Sequence, residues 1–389
     1  GLIGPWAHAY PHFAKPGPAI GFLQEALRWW DHWLKGIDTG VMDEPMLRAW
    51  MMESVRPARH HHARPGRWVA ETAWPPPGVV AQHWALRDGG LLGPRNGEER
   101  DLTPVALCSP ADLGAEGGSW CPFGRGPDQA GDQRADDAQS LCFETGPLAA
   151  SVDILGAPVI TLELAADRPL ANLAVRLCDV HPDGASLRVS FGILNLAHRE
   201  SHEAPSPLEP GRRYTVRLAL NDAGFVFPAG HRIRLALSTA YWPMMWPAPE
   251  AATLTLFGGV LELPVRTAQP HDDALAPLPP PETAPPAPRR EVVRDGRRLT
   301  RIDAIGIEFG ADVRFVCRLD DPADPLSARI ETERSAIVVR GDWCVRILTR
   351  TTMRAERDAF LLTATMRAYE AEEEVSARDW DSVIPRDLV

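Results

Sequence analysis

The stretch Leu177–Arg199, LCDVHPDGASLRVSFGILNLAHR, holds two apolar runs of strand length on either side of a turn-like HPDG. Leu173–Val180 and Leu187–Leu194 are rich in the branched and large apolar residues that fit a pleated, half-buried surface. Between them Asp179, His181 and Asp183 read as turn residues rather than ligands, and Gly184 supplies a backbone angle that other side chains disfavour. The same rhythm repeats outward in both directions. Ser151–Ile154, Val159–Leu164, Arg213–Leu220, His231–Ser238 and Ala252–Leu261 are further short runs. Gly, Pro, Asp and Asn punctuate them at intervals of about ten residues. Helical periodicity is nearly absent from Gln82 to Pro264. The pattern predicts a mainly β chain built around a β-sandwich or jelly roll.

The flanks read differently. On the N-terminal side Ile20, Leu23, Leu27, Trp30 and Leu34 recur at spacings of three and four, so residues 18 to 35 are expected to form a helix stopped by Gly36. Its tryptophans, Trp29, Trp30 and Trp33, are expected to pack in a core or a domain interface. Pro45–Met52 reads as a short buried strand and Arg56–Pro77 as a loop. On the C-terminal side, residues 275–288 (LAPLPPPETAPPAP) form a semi-rigid linker. Beyond it Ser327–Val339, Asp342–Met353, Ala359–Tyr369 and Glu372–Trp380 alternate as an antiparallel meander would, with one buried and one wet face.

A length of 389 residues allows two or three domains. A net charge of -11, with acidic residues spread along the chain, argues against nucleic-acid binding, which needs a clustered basic face. Apolar stretches such as Ile154–Leu162 are far too short to cross a membrane as a helix. The six cysteines form no C-x-x-C pair, so no zinc or redox motif is indicated and a reducing cytoplasm is the expected compartment. The start Gly1-Leu2-Ile3-Gly4 has neither Met nor a signal-peptide pattern and reads as a non-native N-terminus.

His8 follows a short apolar strand end, Leu2-Ile3, and precedes a loop and a helix. A triad histidine of an α/β-hydrolase occupies such a place, after the serine and the acid in chain order. The segment GPWAHAYPH (4–12), followed by GFLQEALRWWDHWLKG (21–36) and DEPMLRAWM (43–51), resembles the stretch around the catalytic histidine of the cocaine esterase and X-Pro dipeptidyl-peptidase family. The likeness continues through DQRADDAQSLCFETGPL (132–148), Leu177–Arg199 and PAGHRIRLALS (228–238), and covers residues 1 to about 265. It implies a serine hydrolase of acyl esters or amides, with His8 as general base and then general acid, acting without a cofactor. Together with the proline-rich stretch and the alternation beyond it, this gives four expected segments. These are the end of an α/β-hydrolase domain (1–76), a jelly roll (77–270), a proline-rich linker (271–290) and a β-meander tail (291–389). The family's Gly-x-Ser-x-Gly elbow and its acid belong upstream of His8, so this chain alone is expected to be inactive. Gly117-Gly118-Ser119-Trp120-Cys121 lacks the final glycine and is not taken as the nucleophile.

Other clusters have plainer readings. Arg59-His60-His61-His62 lies in a Pro/Arg-rich loop and reads as solvated, Gly124-Arg125-Gly126 is not a phosphate cradle, and His32 reads as structural. Tyr241-Trp242-Pro243-Met244-Met245-Trp246-Pro247 follows a strand directly. Tyr241 and Trp242 are candidates for the wall of a pocket for a small ester, amide or peptide substrate, or for a hydrophobic loop between domains. The alternative function is a non-catalytic sandwich that binds carbohydrate or protein. Exposed aromatics on one sheet face would mark that module, whereas an exposed apolar surface around Leu2, His8 and Trp29 would mark the hydrolase.

Overall fold

A computed structural model describes residues 1–95, 102–124, 126–270, 272, 275–282, 289–294 and 296–389. The chain divides into two units, Gly1–Glu282 and Thr283–Val389.

The first unit opens with a short strand β1 (Leu2–Ile3), a helix α1 (Phe22–Lys35) and a strand β2 (Leu47–Glu53). β1 runs parallel to β2, with Leu2 opposite Arg48 and Ile3 opposite Ala49. Parallel neighbours need a long crossover, which the loop containing His8 and α1 provide. The helix starts four residues later than its periodicity suggests. Pro16 and Pro18 lie just upstream and bias the residues before them away from helical angles, while Ile20 is buried ahead of the helix. Gly36, at φ 67°, ends it, with its N–H bonded to His32 O and that of Ile37 to Asp31 O. In β2 Leu47, Ala49 and Met51 point inward. The expected loop 56–77 contains a strand β3 (Gly66–Glu71), antiparallel to β2, with Trp68 edge-on to Trp50 at 5.1 Å. Its Arg, His and Pro neighbours hide this pairing from a sequence reading.

Twelve more strands follow: β4 (Val79–Arg87), β5 (Leu91–Pro94), β6 (Val105–Leu107), β7 (Leu141–Glu144), β8 (Val152–Gly156), β9 (Val159–Ala166), β10 (Asn172–Val180), β11 (Ser186–Asn195), β12 (Tyr214–Ala219), β13 (Ala223–Phe227), β14 (Arg232–Ser238) and β15 (Leu254–Arg266). One antiparallel layer runs β7-β14-β10-β11 and a second β12-β9-β15-β4. The core lies between them. Phe143, Leu173, Val175, Leu177 and Leu235 come from the first layer, and Ile160, Leu162, Val216, Leu256 and Leu261 from the second. β13 pairs with β8 and, in parallel, with β2, which joins the opening β-α-β segment to the sandwich. All nine residues of β10 are buried, because the segment after β6 covers its outer face. The chain is therefore mainly β, as its pattern predicts.

The second unit is a seven-stranded antiparallel meander in which each strand pairs with the next: β16 (Arg289–Arg294), β17 (Arg297–Ile302), β18 (Ile307–Leu319), β19 (Ala328–Arg340), β20 (Trp343–Ala355), β21 (Ala359–Glu370) and β22 (Glu373–Pro385). The last four overlap the four expected strands, and β16 to β18 were not anticipated. The expected fully buried face is absent among the described residues. Buried apolar side chains are confined to Leu299, Ala328, Val339, Ala355 and Phe360, while Val313, Phe315, Ile347 and Val383 are exposed. A single layer has no second sheet to bury its apolar alternation. Within the expected linker, residues 275–282 form no helix or strand, and Pro279 O accepts the N–H of Gly21. Residues 271, 273, 274 and 283–288 of that linker, and Arg125, lie outside the described residues.

Candidate functional site

His8 stands on the loop that leaves β1. Trp6 fixes this loop by donating from Nε1 to Pro18 O at 2.7 Å and packing on Trp68. Gly4 is needed beneath it, since a Cβ there would fall 2.6 Å from the Trp6 ring. A second loop, residues 121–124 and 126–128, closes on the first from the sandwich side. The His8 N–H donates to Pro122 O at 2.8 Å, and Phe123 meets the imidazole edge-on at 5.0 Å. Gly124 adopts φ 68° and touches Lys15 so closely that a Cβ would lie 1.9 Å from the Lys15 carbonyl oxygen. The Asp128 carboxylate accepts the N–H groups of Phe123 and Gly124 at 2.7 and 3.0 Å and so shapes the turn. The imidazole is exposed and faces an open depression of about 480 Å³ shared with Tyr10, Phe13 and Phe123. The role of this loop was not legible beforehand, although the PFG turn six residues before an aspartate was its sequence signal.

Next to it lies a cavity of about 260 Å³ whose walls include Trp6, His61, Arg64, Trp120, Arg188 and Phe191. Burial lowers the Arg64 guanidinium to about 10, and burial together with Arg64 holds His61 low and neutral. Arg188 stacks over Phe191 at 4.3 Å and donates from Nη1 to the Tyr241 hydroxyl at 2.5 Å. Tyr241 and Trp242 are themselves buried, at 1% and 5% exposure, and stand behind this wall rather than in it. Trp242 N–H donates to Leu113 O.

A charged cluster supports the covering segment from below. Arg176 on β10 is fully buried, donates to Gln133 Oε1 at 3.1 Å and Ser140 Oγ at 2.7 Å, and pairs with Asp137 at 3.2 Å. Arg234 on β14 also pairs with Asp137, at 2.7 Å, and Ser186 Oγ donates to the same carboxylate. Burial pushes the Asp136 carboxyl up and Arg176 draws it back, the balance remaining above the usual carboxylate range. A buried charge persists only when paired and hydrogen-bonded. The DQRADD run is thus the clamp that seats this segment on the sandwich.

At the far end of β10 a third group gathers. Asp179 is fully buried, and its carboxylate accepts from Ser54 Oγ at 2.5 Å and is bonded to His231 Nδ1 at 2.8 Å. His181 stands beside them, its ring centroid 4.5 Å from that of His231. The donor atoms of Asp179, His181 and His231 all lie within 4.8 Å of one another.

The remaining feature is a surface. α1 turns its polar side inward, where Gln24 donates to Pro280 O and Arg28 pairs with Glu25 and Glu44 at 2.7 Å. Its apolar side points away from the body of the unit. Leu23, Leu27, Trp30, Trp33 and Leu34 are 53–75% exposed, and Trp29, Ile3, Tyr10 and Phe13 are exposed as well. The expected packing of the tryptophans is not found among the described residues of the unit, which leave Trp29, Trp30 and Trp33 exposed.

Comparison with known proteins places these features. The chain is 25% identical over 261 residues to the cocaine esterase of Rhodococcus sp., covering 62% of this chain and 44% of that protein. A solved aminopeptidase from the marine sediment archaeon Thaumarchaeota archaeon matches with a TM-score of 0.55 at 18% identity, over 68% of this chain and 49% of that one. A solved α-amino acid ester hydrolase matches with a TM-score of 0.51 at 21% identity, over 68% and 50%. The chain spans about two-fifths of the length of the curated relatives it matches. Residues 39–273, from just before β2 to the end of the sandwich, match a family described as the X-Pro dipeptidyl-peptidase C-terminal non-catalytic domain. With more than half its length matched in this way, the chain belongs to the X-Pro dipeptidyl-peptidase C-terminal domain family.

Proposed function

We propose that this chain is the C-terminal part of a serine acyl hydrolase, in which residues 1–76 complete an α/β-hydrolase domain and residues 77–270 form the accompanying jelly roll. Residues 271–290 then link it to a β-meander tail, 291–389. The observation that carries this reading is the outward apolar face of α1. A helix presenting leucines and tryptophans to water is an interface awaiting its partner. The partner that fits is a catalytic α/β domain, since the match covers only 40–44% of the serine esterase and the cocaine esterase and leaves room in them for such a domain. The parallel pair β1 and β2 with α1 between them supports it, being the terminal β-α-β unit of such a sheet.

In this reading His8 takes the proton of a serine supplied by the catalytic domain and returns it to the leaving group. The serine oxygen attacks the acyl carbon, the alcohol or amine leaves with that proton, and water releases the acyl group through the same imidazole. The depression beside His8 receives the substrate, an ester or an amide or peptide. Tyr241 and Trp242 act from behind the neighbouring wall, the tyrosine by holding Arg188. The chain alone has no nucleophile for His8 to activate and is inactive, and the chemistry calls for no cofactor. A fluorophosphonate that labels activated serines tests this. It should label the protein encoded with its upstream sequence, on a serine preceding Gly1, and leave this chain unlabelled. Labelling of Ser119 or any other serine of this chain would refute the reading.

A further inference from the structure

We propose that Asp179, His181 and His231 form a binding site for a divalent transition-metal ion such as Zn2+, at the end of the sandwich where β10 meets β14.

The placement follows from strand geometry. Asp179 and His181 are two residues apart along β10 and its extension, so their side chains leave the same face. β10 and β14 are antiparallel with Val180 opposite Arg232, so the next pair outward is His181 opposite His231. Directly opposed residues have Cβ atoms about 4.5–5.5 Å apart, and the two rings lie 4.5 Å apart, centroid to centroid. One carboxylate and two imidazoles converge as a result. Two nitrogens and one oxygen, with further positions left for water, suit zinc and its neighbours rather than calcium or magnesium, which prefer oxygen alone.

The surroundings favour a cation. Asp179 is fully buried and His181 nearly so, which leaves a carboxylate in low dielectric without a lysine or arginine partner among the ion pairs of the described residues. Its compensation is the Ser54 hydroxyl and His231. Ser54 and the Val55 carbonyl approach from the end of β2, the latter 3.2 Å from His181 Nε2, and provide oxygens around the ion. On binding, Nδ1 of His231 becomes a ligand in place of its hydrogen bond to Asp179. The ion would tie the segment after β2 to the sandwich, independently of any role for His8.

The test uses the full chain stripped with a chelator and titrated with Co2+, whose visible absorption reports its ligand set, and with Zn2+ in competition. The separate run His60-His61-His62 is removed by H60A/H61A/H62A, so that it cannot supply the signal. One equivalent of Co2+ should bind that triple variant, be displaced by Zn2+, and lose at least about tenfold in affinity on adding His181→Gln or His231→Gln. Circular dichroism of the glutamine variants should match the parent, since glutamine keeps hydrogen-bonding capacity at both positions. Absence of binding in the triple variant, or binding there that both glutamine variants leave unchanged, would overturn the site.

Discussion

Replacing Leu27 and Leu34 with glutamate separates the role of α1 in this chain from its role in a larger enzyme. The two side chains are 57% and 75% exposed, so less than half of each is at stake in the chain itself. A fully buried leucine contributes roughly 1.5–3 kcal/mol. The double substitution should therefore cost the isolated chain no more than about 2 kcal/mol, and glutamate is nearly as good a helix former as leucine. The balance reverses once a catalytic domain covers the face, where two carboxylates would be stripped of water without partners, at several kcal/mol each. Urea denaturation of the chain measures the first quantity, and ester hydrolysis by the longer protein the second. The expected result is a loss of no more than about 2 kcal/mol for the chain and a hundredfold or greater loss of activity in the longer protein, taking about 1.4 kcal/mol per tenfold. A loss above 3 kcal/mol in the isolated chain, or full activity in the longer variant, would refute the reasoning.

Three further outcomes follow from the packing. Arg176→Met should destabilise the first unit by about 3–5 kcal/mol, because Asp136 is left buried without its cation and Asp137 keeps only Arg234; a denaturant midpoint within error of the parent would contradict this. Burial tends to raise the Asp272 carboxyl, but the hydrogen bonds from Arg266 prevail and hold it below its ordinary value. A depressed carboxylate contributes stability that is complete above the unfolded value near 4 and is lost as pH falls through the folded one. Asp272→Asn should therefore flatten the acid limb of a thermal-melting profile, and an unchanged limb would exclude that pair as its source. A thiol-alkylating reagent followed by mass spectrometry should modify the exposed Cys108 and Cys121 first. Cys142, pushed up to about 11 by burial, should react slowly, and the fully buried Cys178 only on unfolding.

The sandwich was legible because its strands alternate and its turns carry glycine and proline at regular intervals, a signal local to each segment. β10 and β11 were found in this way to within a residue or so. β3 to β7 and β13 were missed, most being short or held by partners distant in sequence, as β4 is by β15 and β13 by β2. Helix α1 was read correctly as amphipathic, but periodicity shows only that a face is apolar. It does not show that the face is covered, and here it is open. The expected reading of His8 rested on resemblance and chain order, and that of Tyr241 and Trp242 on aromatics that directly follow a strand. The structure adds the loop at Phe123 and Asp128 that closes on His8, and the depth at which Tyr241 and Trp242 lie. Asp179 and His181 were read as turn residues because their third member, His231, lies fifty residues on. Only the register of β10 against β14 brings it alongside.

The most direct test of the central claim is hydrolysis of a chromogenic acyl ester by this chain, by the chain joined to its upstream coding sequence, and by His8→Ala in the longer form. The account predicts turnover only in the longer protein and its loss in His8→Ala with folding intact. Turnover by the short chain, or a longer enzyme indifferent to His8, would contradict it.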